Sequence, residues 1–334
     1  MKRRASSIAG AVVAAGVLLF ACKGAETPTQ QGQGPAAQAP AKGKKQIVVG
    51  FAQTGNESDW RRAHTASIKG EAEKRGITLK FSDAQNKQEN QIKAIRSFIA
   101  QGVDVIILSA VVETGWEPVL KEAKQAGIPV ILLDRSIEVR DDSLYACFIG
   151  SDFVEEGRMA ARWLVQKMNG KARLVEMQGN PGSAPATDRR NGFMEVIKDH
   201  PGIEIIDSQS GDFLRSKGKE VMEAFLKKHG RNIQALFAHN DDMAIGAIQA
   251  IEDAGLKPGQ DIVIVSVDAV RAAFEAMVAG KLNCSVECNP IQGEAAFDAV
   301  EKTVAGQPVE KTSYIKDSVF DQSVAKDYLG KRLY

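Results

Sequence analysis

The sequence predicts an α/β fold of two similar lobes, each a parallel sheet covered by helices. Three observations lead there. Apolar runs of strand length (Ile47–Ala52, Val103–Leu108, Ile128–Leu133) alternate with amphipathic stretches, the pattern of strands buried on both faces between helices. The same alternation restarts after about residue 150. The chain also has 334 residues, which at roughly 150 per domain suggests two cores.

The elements follow in order. Ile77, Leu79 and Phe81 alternate with polar residues, as a half-buried strand does. Ile92, Ile95 and Ile99 recur at helical spacing and stop at Gly102, a plausible helix end. In the second half, strands are predicted over Leu174–Met177, Ile203–Ser208, Ile233–Ala238, Ile262–Val267 and Leu282–Glu287. Helices are predicted over Phe153–Asn169, Ser216–His229 and Asp241–Ala254.

The amino terminus is an address. Lys2, Arg3 and Arg4 precede 14 uncharged, mostly apolar residues, Ile8–Ala21, and then Cys22. A membrane span needs about 20 residues, so residues 1–22 read as a secretory signal. Leu19-Phe20-Ala21-Cys22 resembles a bacterial lipobox, whose cysteine is acylated, with Phe20 where that pattern has a small residue. An unmodified Cys22 after ordinary cleavage is the alternative. Residues 23–45, rich in Ala, Gln, Pro and Gly, lack the apolar side chains to offset the entropy of ordering and read as a tether.

Lys and Arg total 43 against 42 Asp and Glu, a net charge of +1; removal of the signal takes away three cations and no anions, leaving −2. No cationic excess exists to neutralise a nucleic-acid backbone. Hydrophobic residues at 44% and charged residues at 25% exclude a disordered chain.

In open parallel sheets, ligands bind beyond the carboxyl ends of the strands. Those positions carry Glu57, Trp60, Arg61, Asp134 and Arg135 in the first half of the chain. In the second half they lead to Arg189, Phe213, Asn240, Asp268 and Glu287. Carboxylates and amides bridge neighbouring hydroxyls, guanidiniums donate in a fixed fork, and an aromatic face packs on the C–H face of a sugar ring. The set therefore suits a polyhydroxylated ligand. Singly, each residue has an ordinary role as helix cap, ion-pair partner or core aromatic; their convergence points to a site.

Catalytic signatures are missing: no Gly-x-x-x-x-Gly-Lys-[Ser/Thr], Gly-x-Gly-x-x-Gly, Gly-x-Ser-x-Gly or His-x-x-x-His occurs. No cofactor, metal or catalytic residue is expected. His64, His200, His229 and His239 are scattered and read as surface or capping residues, with His239 beside the candidate site. Cys284 and Cys288, four residues apart on a strand, are separated by about 13 Å, beyond the roughly 7 Å a disulfide spans. Pairing of Cys147 with either stays open, with free buried thiols the preferred reading.

From Ile47 onward the chain resembles the periplasmic sugar-binding proteins of ABC importers, of the ribose/galactose-binding type, and within them the galactofuranose-binding branch. The resemblance rests on QENQIKAIRSFIAQGVDVIIL, TGWEPVLKEAKQAGIPVILLDRSI, SQSGDFLRSKGKEVMEAF and AHNDDMAIGAIQAIEDAGLKPG. It implies two lobes joined by three hinge strands, residues 46–150 with about 288–315 forming one and 151–287 with about 316–334 the other. The ten residues named above then occupy sugar-contact positions, with Glu287 standing where ribose-binding relatives carry Gln. The resemblance implies an exported, monomeric, lipid-anchored solute-binding protein that delivers a monosaccharide, galactofuranose or a related hexose, to an ABC permease and its ATPase subunits, without chemistry. A receptor presenting its closed form to a membrane sensor would share these residues. A sugar-acting α/β enzyme is disfavoured by the missing motifs.

Overall fold

The computed structural model describes residues 46–334. The signal, Cys22 and the tether lie outside the described residues.

The first sheet is built from β1 (Val48–Gln53), β2 (Thr78–Asp83), β3 (Val105–Leu108), β4 (Val130–Leu133), β5 (Cys147–Ser151) and β11 (Thr312–Ile315). Its order is β11-β5-β4-β3-β1-β2, and every pairing is parallel. β3 and β4 read Val-Ile-Ile-Leu and Val-Ile-Leu-Leu and are buried throughout, because helices cover both faces. Helices α1 (Asp59–Lys74), α2 (Gln88–Ala100) and α3 (Glu117–Gln125) link these strands. The fourth cover, α9 (Gly293–Val304), arrives from far along the chain and seats Phe297 and Val300 against Phe51 and Ile131.

The second sheet contains β6 (Ala172–Gln178), β7 (Ile203–Ser210), β8 (Ala235–Ala238), β9 (Val263–Asp268), β10 (Cys284–Glu287) and β12 (Val319–Asp321). Its order is β12-β10-β9-β8-β6-β7, with β12 antiparallel to β10. Helices α4 (Phe153–Lys167), α5 (Ala184–Ile197), α6 (Arg215–His229), α7 (Asp241–Asp253), α8 (Arg271–Val278) and α10 (Ala325–Leu329) belong to this half. The antiparallel edge departs from the all-parallel expectation; three residues of Val-Phe-Asp carry too little pattern to read.

The chain passes between the sheets three times: from β5 into α4, from β10 into α9, and from β11 into β12. The parallel sheets therefore both turn their strand carboxyl ends toward these crossings. Gly157 on α4 lets α5 approach closely, since a Cβ there would collide with the Arg189 carbonyl. That contact fixes the turn of α5 carrying Arg189.

Cys147, Cys284 and Cys288 are free buried thiols. Cys147 packs in the first sheet's core and Cys284 in the second's, so the open question of their pairing is answered by topology. No helix among the described residues is long and apolar enough to cross a membrane.

Candidate functional site

The turn after β1 ends at Ser58, whose side chain accepts from the Arg61 backbone N–H at 3.1 Å and caps α1. The cap aims the first turn of α1 at the cleft. Trp60 donates its indole N–H to the Cys288 carbonyl at 2.6 Å and stacks on His64, ring centroids 5.1 Å apart. Arg61 reaches Asp134 Oδ2 at 2.7 Å, Glu57 Oε1 at 3.3 Å and Gln53 Oε1 at 3.3 Å. Arg135 lies 3.7 Å from Glu57 and 3.8 Å from Asp134.

Arg189 sits on the second turn of α5, not at a strand end as the sequence pattern placed it. It donates to Glu156 Oε2 at 2.6 Å and the His239 carbonyl at 2.5 Å, and stands 3.7 Å from Asp268. Asn240 caps α7 by accepting from the Met243 N–H at 3.0 Å, and donates to the Phe213 carbonyl at 3.2 Å. Asp134, Phe213 and Asp268 have φ of 68°, 60° and 122°. Such backbone costs of order 1–3 kcal/mol per residue and persists where surroundings over-determine it, often at binding sites.

These residues line a tight cleft whose empty space, counted together with the solvent it opens to, is about 300 Å³. Glu57, Trp60, Arg61, Asp134 and Arg135 line it from the first half; Arg189, Phe213, Asn240 and Asp268 line it from the second. Glu287 does not. Its carboxylate is held by Arg332 at 2.7 Å and the Tyr334 hydroxyl at 3.4 Å, because the carboxyl-terminal tail returns over α8 and β12 and supplies a cation there. Nothing in the local sequence signals that return.

Ser58, from the polar run after the first strand, also lines the cavity, as do Phe153, Pro185 and Cys288, which sequence reasoning missed. Phe153 was legible as the first residue after the Ser151-Asp152 crossing, and Cys288 as the first after β10. The histidine reading needs correction at two positions. His64 and His239 are fully buried; burial, then the charge of Arg61, pushes His64 down to about 3. Burial, then Arg189 and Arg190, likewise holds His239 far below its usual range.

Three carboxylates face three guanidiniums around the cavity. Burial opposes the charge on Arg61, but Asp134 and Glu57 outweigh it and raise its pKa. Arg135 is less well compensated: burial, then repulsion from Arg61, pushes it down to about 10. Burial lifts Asp268 well above the usual carboxylate range, since Arg189 is committed more closely to Glu156. Glu57 Oε2 and Arg135 Nε are buried without a hydrogen-bond partner. Orphan polar atoms in a buried wall carry a desolvation penalty that a polar ligand relieves.

No histidine lines the cavity, and burial drives the Cys288 thiol far from its reactive thiolate form. No cluster of metal-ligating residues occurs among the described residues.

The comparisons agree with this architecture. A family model described as a periplasmic binding protein domain matches residues 47–308. The galactofuranose-binding protein YtfQ of Escherichia coli K12 is 56% identical over 290 residues, covering 86% of this chain and 91% of that protein. The periplasmic component of the arabinose ABC transporter from Shewanella sp. ANA-3, bound to α- and β-L-arabinofuranose, is 52% identical with a TM-score of 0.84, covering 86% of this chain and 96% of that one. A structure from Mycobacterium smegmatis in complex with β-D-fucofuranose is 51% identical with a TM-score of 0.83, covering 85% and 94%. With its two sheets, three crossings and a tight polar cleft between them, the chain belongs to the periplasmic binding protein family.

Proposed function

We propose that the protein captures a monosaccharide in its furanose form, galactofuranose or a close relative, by closing two lobes around it, and releases it unchanged to an ABC permease. The carrying observation is the cavity itself, lined by both carboxyl and guanidinium groups and built from both halves of the chain. Three carboxyl and three guanidinium groups supply both acceptors and donors to a neutral polyol, whereas the charge of an amino acid or a nucleotide would itself need pairing in this buried wall. The furanose ring form rests on the relatives whose names and bound sugars are furanoses. In this reading residues 1–22 export the chain, acylated Cys22 anchors it, and it works as a monomer.

A thermal-shift screen of monosaccharides, amino acids and nucleotides tests the ligand class. A ligand at 100 times its dissociation constant stabilises by about 2.7 kcal/mol. D-galactose and L-arabinose, whose solutions contain furanose, should raise the melting temperature and be recovered unchanged. A shift with an amino acid and none with any sugar would overturn the reading.

A further inference from the structure

The mouth of the cleft carries charges that sugar recognition does not use. We infer that Arg215 is an ionic latch holding the lobes closed over the sugar, a positioning residue outside the cavity; the inference rests on the proposed function.

Arg215 opens α6 in the second half of the molecule. Its Nη2 lies 2.9 Å from Asp59 Oδ2 on α1 of the first half and 2.8 Å from Asp242 Oδ1 on α7. Its Nε also donates to Asp242 Oδ1 at 3.0 Å. The backbone N–H of Asp59 donates to the other Asp242 oxygen at 2.9 Å, and Arg62 pairs with the other Asp59 oxygen. Charges thus alternate Arg62, Asp59, Arg215, Asp242 across the boundary, each like pair separated by an opposite charge.

Local sequence sets this geometry. Asp59 and Asp242 stand in the first turns of capped helices, where negative charge is favourable. Gly246 admits α6 against α7, since a Cβ there would strike the Arg215 carbonyl. Asp59 immediately precedes Trp60 and Arg61, so holding it holds the turn of α1 that covers the ligand. The Asp242 side chain is 5% exposed and that of Arg215 41%. The network is thus protected enough to matter and wet enough for salt to screen it. On the opposite rim the clasp uses neutral donors: Glu113 N–H to the Gly182 carbonyl and the Thr187 hydroxyl to Glu113, both 2.9 Å.

The test compares the full chain with Arg215→Gln, using D-galactose as probe, at low and high salt. The variant should bind roughly three- to tenfold more weakly at low salt, through faster dissociation. The parent should lose affinity as salt rises, whereas the variant's affinity should stay nearly flat. Because Arg215 also pairs with Asp242 inside its own lobe, Arg215→Gln should melt somewhat lower without sugar. Asp59→Asn, which cuts the pairing across the boundary, should leave that melting nearly unchanged and still weaken binding, which separates a latch from a folding role. In a double-mutant cycle with Asp59→Asn, the two substitutions should be non-additive, because their side chains come from opposite lobes. If the parent binds galactose and Arg215→Gln matches its affinity, dissociation rate and salt response, the latch is wrong and the function stands. If the parent binds no sugar, both fall.

Discussion

The Arg135 guanidinium lies 5.5 Å from the ring centroid of Phe213, a cation held by the first sheet against an aromatic face presented by the second. Both residues are nearly fully buried, at 2% and 5% exposure. Desolvated cation–π contacts are worth about 2 kcal/mol, and Arg135 also offsets the buried carboxylates of Glu57 and Asp134. Arg135→Ala should therefore weaken galactose binding by more than about tenfold, with Asp268→Ala acting in the same direction from the other lobe. Calorimetric titration checks this, and an unchanged dissociation constant in both variants would remove these residues from the site.

Glu287 provides the contrast. Because its carboxylate is engaged by Arg332 and Tyr334, Glu287→Gln should change sugar affinity by less than about twofold, within the range of a neutral substitution. Arg332→Ala should act on stability instead, costing about 1–3 kcal/mol by leaving Glu287 unpaired and stripping a cation from Phe274 and Phe320. Thermal unfolding and titration of the two variants separate these effects. A large loss of affinity in Glu287→Gln would restore it to the site.

The reach of the sequence shows in particular residues. β3 and β4 were legible because four consecutive buried aliphatics cannot be accommodated elsewhere than between covered faces. Asp134, Asn240 and Asp268 were legible because strand ends and helix caps are local features. Cys288 and Phe153 went unread although each is the first residue past a crossing or strand, because apolar residues there look like core until the second lobe is placed. Glu287 was misassigned because its partner is a tail 45 residues away, and the burial of His64 depends on Trp60 stacking over it.

The third crossing, between β11 and β12, carries a titratable group. Burial, and then the neighbouring Glu156 carboxylate, push half-buried Asp317 up to about 8. Unfolded, it ionises near about pH 4. Between these values the folded state keeps a proton that the unfolded state has released, so this group's contribution to stability declines as pH rises from about 4 through about 8. Asp317→Asn retains an acceptor for the Asn289 N–H at 3.3 Å and removes the titration. It should match the parent near about pH 4 and melt roughly 2–4 °C higher above about pH 8, about 1 kcal/mol once discounted for partial exposure. Superimposable curves of melting temperature against pH would show that Asp317 ionises freely.

Closure around a sugar by residues from both lobes is the central claim, and small-angle scattering of the parent with and without D-galactose, alongside calorimetry on the same samples, tests it most directly. The account predicts one-to-one binding accompanied by a smaller radius of gyration, with both responses lost in Arg135→Ala. Saturable binding without compaction, or compaction and binding that persist undiminished in Arg135→Ala, would contradict it.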